Sequence, residues 1–175
     1  MSTFDDTRLL VRTRAKFACE FCGVTETDTG GELTVDHFQP KTKGGTDDLT
    51  NLLYCCVRCN QYKADYWPSQ PHELMIWNPR QEAMATHLLT LADGKLYPIT
   101  SVGAFTLQRL RLNRAQLVAY RLRKQQQQEE THLLIQYQEI LRMIEQLHEQ
   151  QVMLLEEHRA LLAQQQEILR LLLRT

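Results

Sequence analysis

Four of the five cysteines in this 175-residue chain form two pairs, Cys19-x-x-Cys22 and, after 33 intervening residues, Cys56-x-x-Cys59. A Cys-x-x-Cys turn lets two thiolates face one point. Two such turns supply the four sulfur ligands, each about 2.3 Å from the ion, of a tetrahedral Zn²⁺. A site closed by four protein ligands is structural. It would tie an N-terminal helix to a later one and stabilise a domain whose core is small. Cys55 is the spare, because using it would make the second pair Cys-x-x-x-Cys, and it reads as a buried apolar residue. The odd cysteine count, with an N-terminus "MSTFDDTRLL" that lacks a basic n-region and an apolar core, argues against a disulfide framework.

A second group of residues surrounds the later cysteine pair, in "VDHFQPKTKGGTDDLTNLLYCCVRCNQYK". It contains Asp36-His37, Pro40, Gly44-Gly45, Asn51-Leu52 and Cys56-x-x-Cys59-Asn60-x-x-Lys63. Over residues 15–67 this pattern resembles the HNH endonuclease family, in the zinc-stapled form whose two Cys-x-x-Cys pairs flank a ββα-metal motif. Asn60 stands where the family's final His stands, and either side chain can hold a metal. More loosely, "WNPR" at 77–80, His87, Asp93-Gly94 and "LRLNR" at 110–114 resemble a tail that follows many bacterial HNH domains.

The resemblance implies phosphodiester hydrolysis, which needs a base for water and a Lewis acid for the departing oxyanion. His37, with an ordinary pKa near 6.5, suits the base. Asp36 and Asn60 offer hard oxygen ligands to one catalytic Mg²⁺ or Mn²⁺. Asn51 is expected to pin the intervening loop and help orient the His. Lys63, about one helical turn after Asn60, shares its helix face and is expected to contact phosphate. Adjacent strand residues point to opposite faces, so Asp36 and His37 can serve one phosphate only where the strand end re-aims them. Asp47 and Asp48 read as turn and helix-start residues.

These groups need elements to hold them. Residues 4–18 predict a short helix capped by Asp5 or Asp6, and "GELTVDHFQP" predicts a strand between Gly30-Gly31 and Pro40. A second turn at Gly44-Gly45 fits a β-hairpin or β-loop unit, and a helix of two to three turns begins near Cys56 and stops by Pro68. Asp93-Gly94 marks a second hairpin, between "HLLTLA" and "KLYPIT". "AFTLQRLRLNRAQLVAYRLRK" is strongly helical and carries Arg109, Arg111, Arg114, Arg121, Arg123 and Lys124 without an acid. Such a run suits nucleic-acid phosphates, and Arg8, Arg12, Arg14 and Lys16 extend it.

Every Gly, Pro and Cys lies within the first 103 residues. The chain therefore predicts an α+β fold: a small ββα-metal domain with structural zinc, followed by a long C-terminal α-helical, coiled-coil arm. The parts are a nuclease domain with an accessory hairpin over 1–103, a basic helical extension over 104–124 and the arm over 125–175. Residues 1–124 carry 16 basic against 13 acidic side chains and the arm 4 against 8, so the total of −1 hides charges of +3 and −4. The run "QQQQEE" is the natural hinge or solvent-bridging point.

In the arm Leu133, Ile140, Leu147, Leu154, Leu161 and Ile168 recur every seven residues, followed by Leu134, Leu141, His148, Leu155, Leu162 and Leu169. With the first series at d, position a holds Tyr137, Ile144, Gln151, His158, Gln165 and Leu172. This wide stripe predicts a homo-oligomer or a protein partner. No apolar stretch approaches the roughly 20 residues that span a bilayer, and a net −4 arm would be repelled by anionic lipid. The expectation is a soluble, cytoplasmic endonuclease acting on double-stranded DNA, with a non-catalytic, zinc-stabilised nucleic-acid-binding or scaffold protein as the alternative.

Overall fold

The computed structural model describes residues 3–173 and divides into two units, one up to Gln125 and one from Gln126. The first is mixed α+β. Helix α1 (Thr3–Arg14) leads to the first cysteine pair, and a single helical turn, α2 (Glu26–Thr29), follows it. Strands β1 (Thr34–His37) and β2 (Leu52–Cys55) form an antiparallel hairpin in which Asp36 faces Leu53 and His37 faces Leu52. Helix α3 (Val57–Lys63) begins directly after β2 and packs on β1, completing the expected ββα unit. A second antiparallel hairpin, β3 (Leu88–Thr90) and β4 (Leu96–Pro98), turns at Asp93-Gly94 and packs on α4 (Ser101–Arg109). The last element is α5 (Ala115–Leu172).

One apolar core serves the whole first unit. All four β2 side chains are buried, together with Val11, Phe21, Leu33, Trp77, Leu88, Leu110, Leu112 and Leu117. Residues 104–124 thus contribute three leucines to the same core as the zinc-ligand candidates. Burying that apolar area is the main stabilising term. Two polar side chains at the edge of this core are paired: Glu20 Oε2 accepts from the Tyr54 amide at 2.7 Å while its Oε1 accepts from Arg80 at 2.8 Å. The Tyr54 hydroxyl donates to Glu26 and accepts from the Leu33 amide at 2.9 Å.

Several expectations need correction. Asp5 and Asp6 lie inside the first turn of α1, where carboxylates favour the helix dipole, and do not cap it. The basic residues of α1 pair within the domain, Arg8 on its surface. Arg8 bonds Glu32, Arg12 makes a bidentate pair with Glu26 at 2.6 and 2.7 Å, and Arg14 donates to the carbonyls of Leu49 and Leu52. The predicted helix over 104–124 is broken between α4 and α5. There Leu110 and Leu112 are both buried, Arg111 has φ 48°, and the Asn113 carboxamide bonds both backbone groups of Leu96 at 2.8 Å. Burying leucines two residues apart is incompatible with one helix face, so tertiary packing overrides propensity. The glutamine run is helical.

From Gln126 the second unit is helical, and Leu133, Ile140, Leu147, Leu154, Leu161 and Ile168 are all exposed along it. Among the described residues, no helix is long and apolar enough to cross a membrane.

Candidate active site

The two cysteine pairs are shaped by backbone bonds. Gly23, at φ 77°, donates its amide to the Cys19 carbonyl at 2.8 Å and closes the first turn. The second pair sits on α3, where Cys56 is the N-cap and its Sγ accepts from the Cys59 amide at 3.5 Å. All four side chains are buried, and their sulfurs lie within 4.8 Å of one another. Cys22 Sγ and Cys56 Sγ are 3.7 Å apart, against about 3.8 Å for the edge of a tetrahedron with 2.3 Å zinc–sulfur bonds. The cluster is compatible with a structural zinc ion. Arg114 Nη2 lies 3.9 and 3.8 Å from the sulfurs of Cys56 and Cys59, and its guanidinium stacks over Tyr62. It thereby offsets thiolate charge from outside the ligand set. Cys55 is fully buried beside Thr34, outside the cluster, and burial pushes its thiol up so that it stays protonated.

Asp36 and His37 occupy the last two positions of β1, the strand on which α3 packs. Their side chains go to different partners, as strand alternation requires. Asp36 Oδ2 is buried, and Lys63 Nζ approaches it to 2.8 Å outside hydrogen-bond geometry, so this is an ion pair that leaves the oxygen without a hydrogen bond. The Lys63 side chain is 1% exposed. Its expected phosphate contact is therefore corrected: Lys63 does share the Asn60 face of α3, but that face packs on β1, and the ammonium is committed to Asp36. Asn60 lies one turn before it, and its carboxamide makes no hydrogen bond among the described residues. A carboxylate and a carboxamide are hard donors suited to Mg²⁺ or Mn²⁺.

His37 Nε2 lies 2.7 Å from Asp47 Oδ1, and the other Asp47 oxygen accepts from Lys41 Nζ at 2.8 Å. The Lys41 ammonium, and then His37, hold the Asp47 carboxyl below its ordinary range. The expectation for Asp47 named only a turn residue and missed this contact. The available signal was an acid in the loop that leaves His37, ten positions on. No helix starts at Asp48, whose carboxylate accepts from Thr46 Oγ1.

Asn51 binds the loop shut. Its Oδ1 accepts from the Gln39 amide at 2.8 Å, its Nδ2 donates to the carbonyls of Gln39 and Thr46, and its own carbonyl accepts from the Phe38 amide at 2.7 Å. Gly45 allows this closure, because a Cβ there would lie 1.8 Å from the Gln39 carbonyl oxygen.

With the hairpin, the short helix and the four sulfurs in place, residues 19–65 match the family model described as HNH endonuclease. The segment is an HNH domain. No curated protein and no solved structure matches the chain. The matched residues of this HNH domain include both cysteine pairs, Asp36, His37, Asp47, Asn51, Asn60 and Lys63.

The six basic residues expected to contact nucleic acid divide into two sets. Arg109 stacks on Tyr66 and donates to the Lys63 carbonyl at 3.2 Å, Arg114 faces the sulfurs, and Arg121 donates to Gly94 and Leu112 carbonyls at 2.5 and 2.8 Å. These three guanidinium groups are half-buried and bonded within the fold. Arg111, Arg123 and Lys124 remain exposed.

Proposed function

We propose that the protein is a metal-dependent HNH endonuclease that hydrolyses phosphodiester bonds in double-stranded DNA in the cytoplasm. The observation that carries this reading is the match of residues 19–65 to HNH endonucleases, with Asp36 and His37 at the end of β1 and Asn60 on the helix packed against it.

His37 takes the proton of the attacking water, and the fixed loop supplies its orientation. Asp36 and Asn60 would hold a divalent ion, which would supply Lewis-acid stabilisation of the negative charge that develops in the reaction. Lys63 holds the Asp36 carboxylate in place from α3. Asn51 positions the base by closing the 38–51 loop. Cys19, Cys22, Cys56 and Cys59 would hold a structural zinc ion that ties α3 to the first cysteine turn. Arg111, Arg123 and Lys124 supply salt-sensitive attraction to the DNA backbone. Self-association of the apolar stripe in the acidic arm provides a second nuclease copy, which a break in both strands requires of a site that cuts one.

The test is nicking of supercoiled plasmid by zinc-loaded protein with Mg²⁺ or Mn²⁺, using His37→Ala as control. Binding without cutting would favour a nucleic-acid-binding or scaffold role.

A further inference from the structure

The contact between His37 and Asp47 has no evident structural purpose. Their side chains are 24% and 69% exposed, and Lys41 is 59% exposed. Exposed ion pairs of this kind add little to stability. Yet the three residues are arranged in series on one short loop: Lys41 Nζ to Asp47 Oδ2, and Asp47 Oδ1 to His37 Nε2. The loop is the one that Asn51 and Gly45 hold closed. Among the described residues, His37 Nδ1 makes no hydrogen bond.

We infer that Asp47 is the positioning residue for the His37 base, fixing the ring as the tautomer that carries its proton on Nε2 and presents the Nδ1 lone pair to water. This rests on the endonuclease reading above and deepens it. A carboxylate can only accept, so the ring nitrogen facing it must be the donor, which leaves the other nitrogen free to act as base. In the reaction, a water proton passes to Nδ1 as the water oxygen forms its bond to phosphorus and the bond to the 3′ oxygen breaks. The leaving alkoxide is protonated by solvent, and the imidazolium returns its extra proton to solvent. While that imidazolium exists, Asp47 faces a cation and stabilises it. Lys41 holds the second Asp47 oxygen, which stops the carboxylate from turning away and helps keep it ionised.

The test combines kinetics and spectroscopy on the full-length, zinc-loaded protein. In plasmid nicking, Asp47→Ala and Asp47→Asn should lower kcat by about 10- to 100-fold with KM within about twofold of wild type, a share of the usual general-base contribution. Asp47→Glu should recover part of the loss, and zinc content and thermal midpoint should stay at wild-type values. In histidine-selective ¹⁵N spectra, the His37 Nε2–H signal, assigned by its loss in His37→Gln, should be protected from solvent exchange and should lose protection in Asp47→Ala. Wild-type kcat in both Asp47→Ala and Asp47→Asn, or an unchanged His37 signal in Asp47→Ala, overturns the inference while leaving the endonuclease reading intact. Wild-type protein that cuts under neither metal overturns both.

Discussion

At the scale of single residues, the site depends on buried charge as much as on exposed chemistry. Lys63 is buried against Asp36, and truncating one partner leaves the other charge without compensation. Lys63→Ala is expected to destabilise the domain by about 2–3 kcal/mol, less than for a fully buried pair because Asp36 retains some exposure. A lower denaturant midpoint at constant m-value would show it, whereas a phosphate contact on the surface would leave stability unchanged. Sequence spacing correctly placed Lys63 on the Asn60 face. Spacing states which residues share a face, but only packing decides whether that face is wet. The same distinction explains the arginines: Arg114 and Arg121 look identical to Arg123 in a basic run, but thiolates and free carbonyls lie within reach of the first two. Asp47 escaped notice for the opposite reason, since nothing in an exposed loop acid signals that a closed loop will return it to His37.

At the scale of elements, legibility follows turn chemistry. The β1–β2 hairpin and α3 were predictable from the glycine pairs, the alternation before Pro40 and the second cysteine pair. The break between α4 and α5 was not, because it contains no Gly or Pro and arises from burying Leu110 and Leu112. Helix α1 is fixed to the hairpin through Glu26, which takes a bidentate bond from Arg12 and the Tyr54 hydroxyl. The Arg12 guanidinium, and then Tyr54, bring the Glu26 carboxyl from 4.5 down to about 2. A carboxylate depressed in the folded state contributes stability that is complete above its unfolded pKa and is lost as the pH falls through the folded one. Stability should therefore decline between about pH 4.5 and 2. Thermal midpoints recorded across that window should fall less steeply for Glu26→Gln, and equal slopes would remove Glu26 from the account.

At the scale of the whole molecule, the chemistry and the long helical stripe belong to different units, and every proposed ligand and base lies before Gln126. Composition made this division visible, because the turn-forming residues stop at Gly103. The place of the basic stretch is harder to read, since Leu110, Leu112 and Leu117 tie it to the core of the first unit through contacts that charge does not report. In the arm, a helix with Leu147 and Leu154 exposed has apolar surface to bury. The full-length protein is expected to scatter light as an oligomer at micromolar concentration and the Leu147→Glu, Leu154→Glu double variant as a monomer. A monomeric wild type would remove self-association. The central claim is that His37 activates water for DNA cleavage, and nicking of supercoiled plasmid by the zinc-loaded chain with Mg²⁺ or Mn²⁺ tests it most directly. Wild type should cleave and His37→Ala should lose about 100-fold or more; a His37→Ala protein that nicks at the wild-type rate would remove His37 as the base.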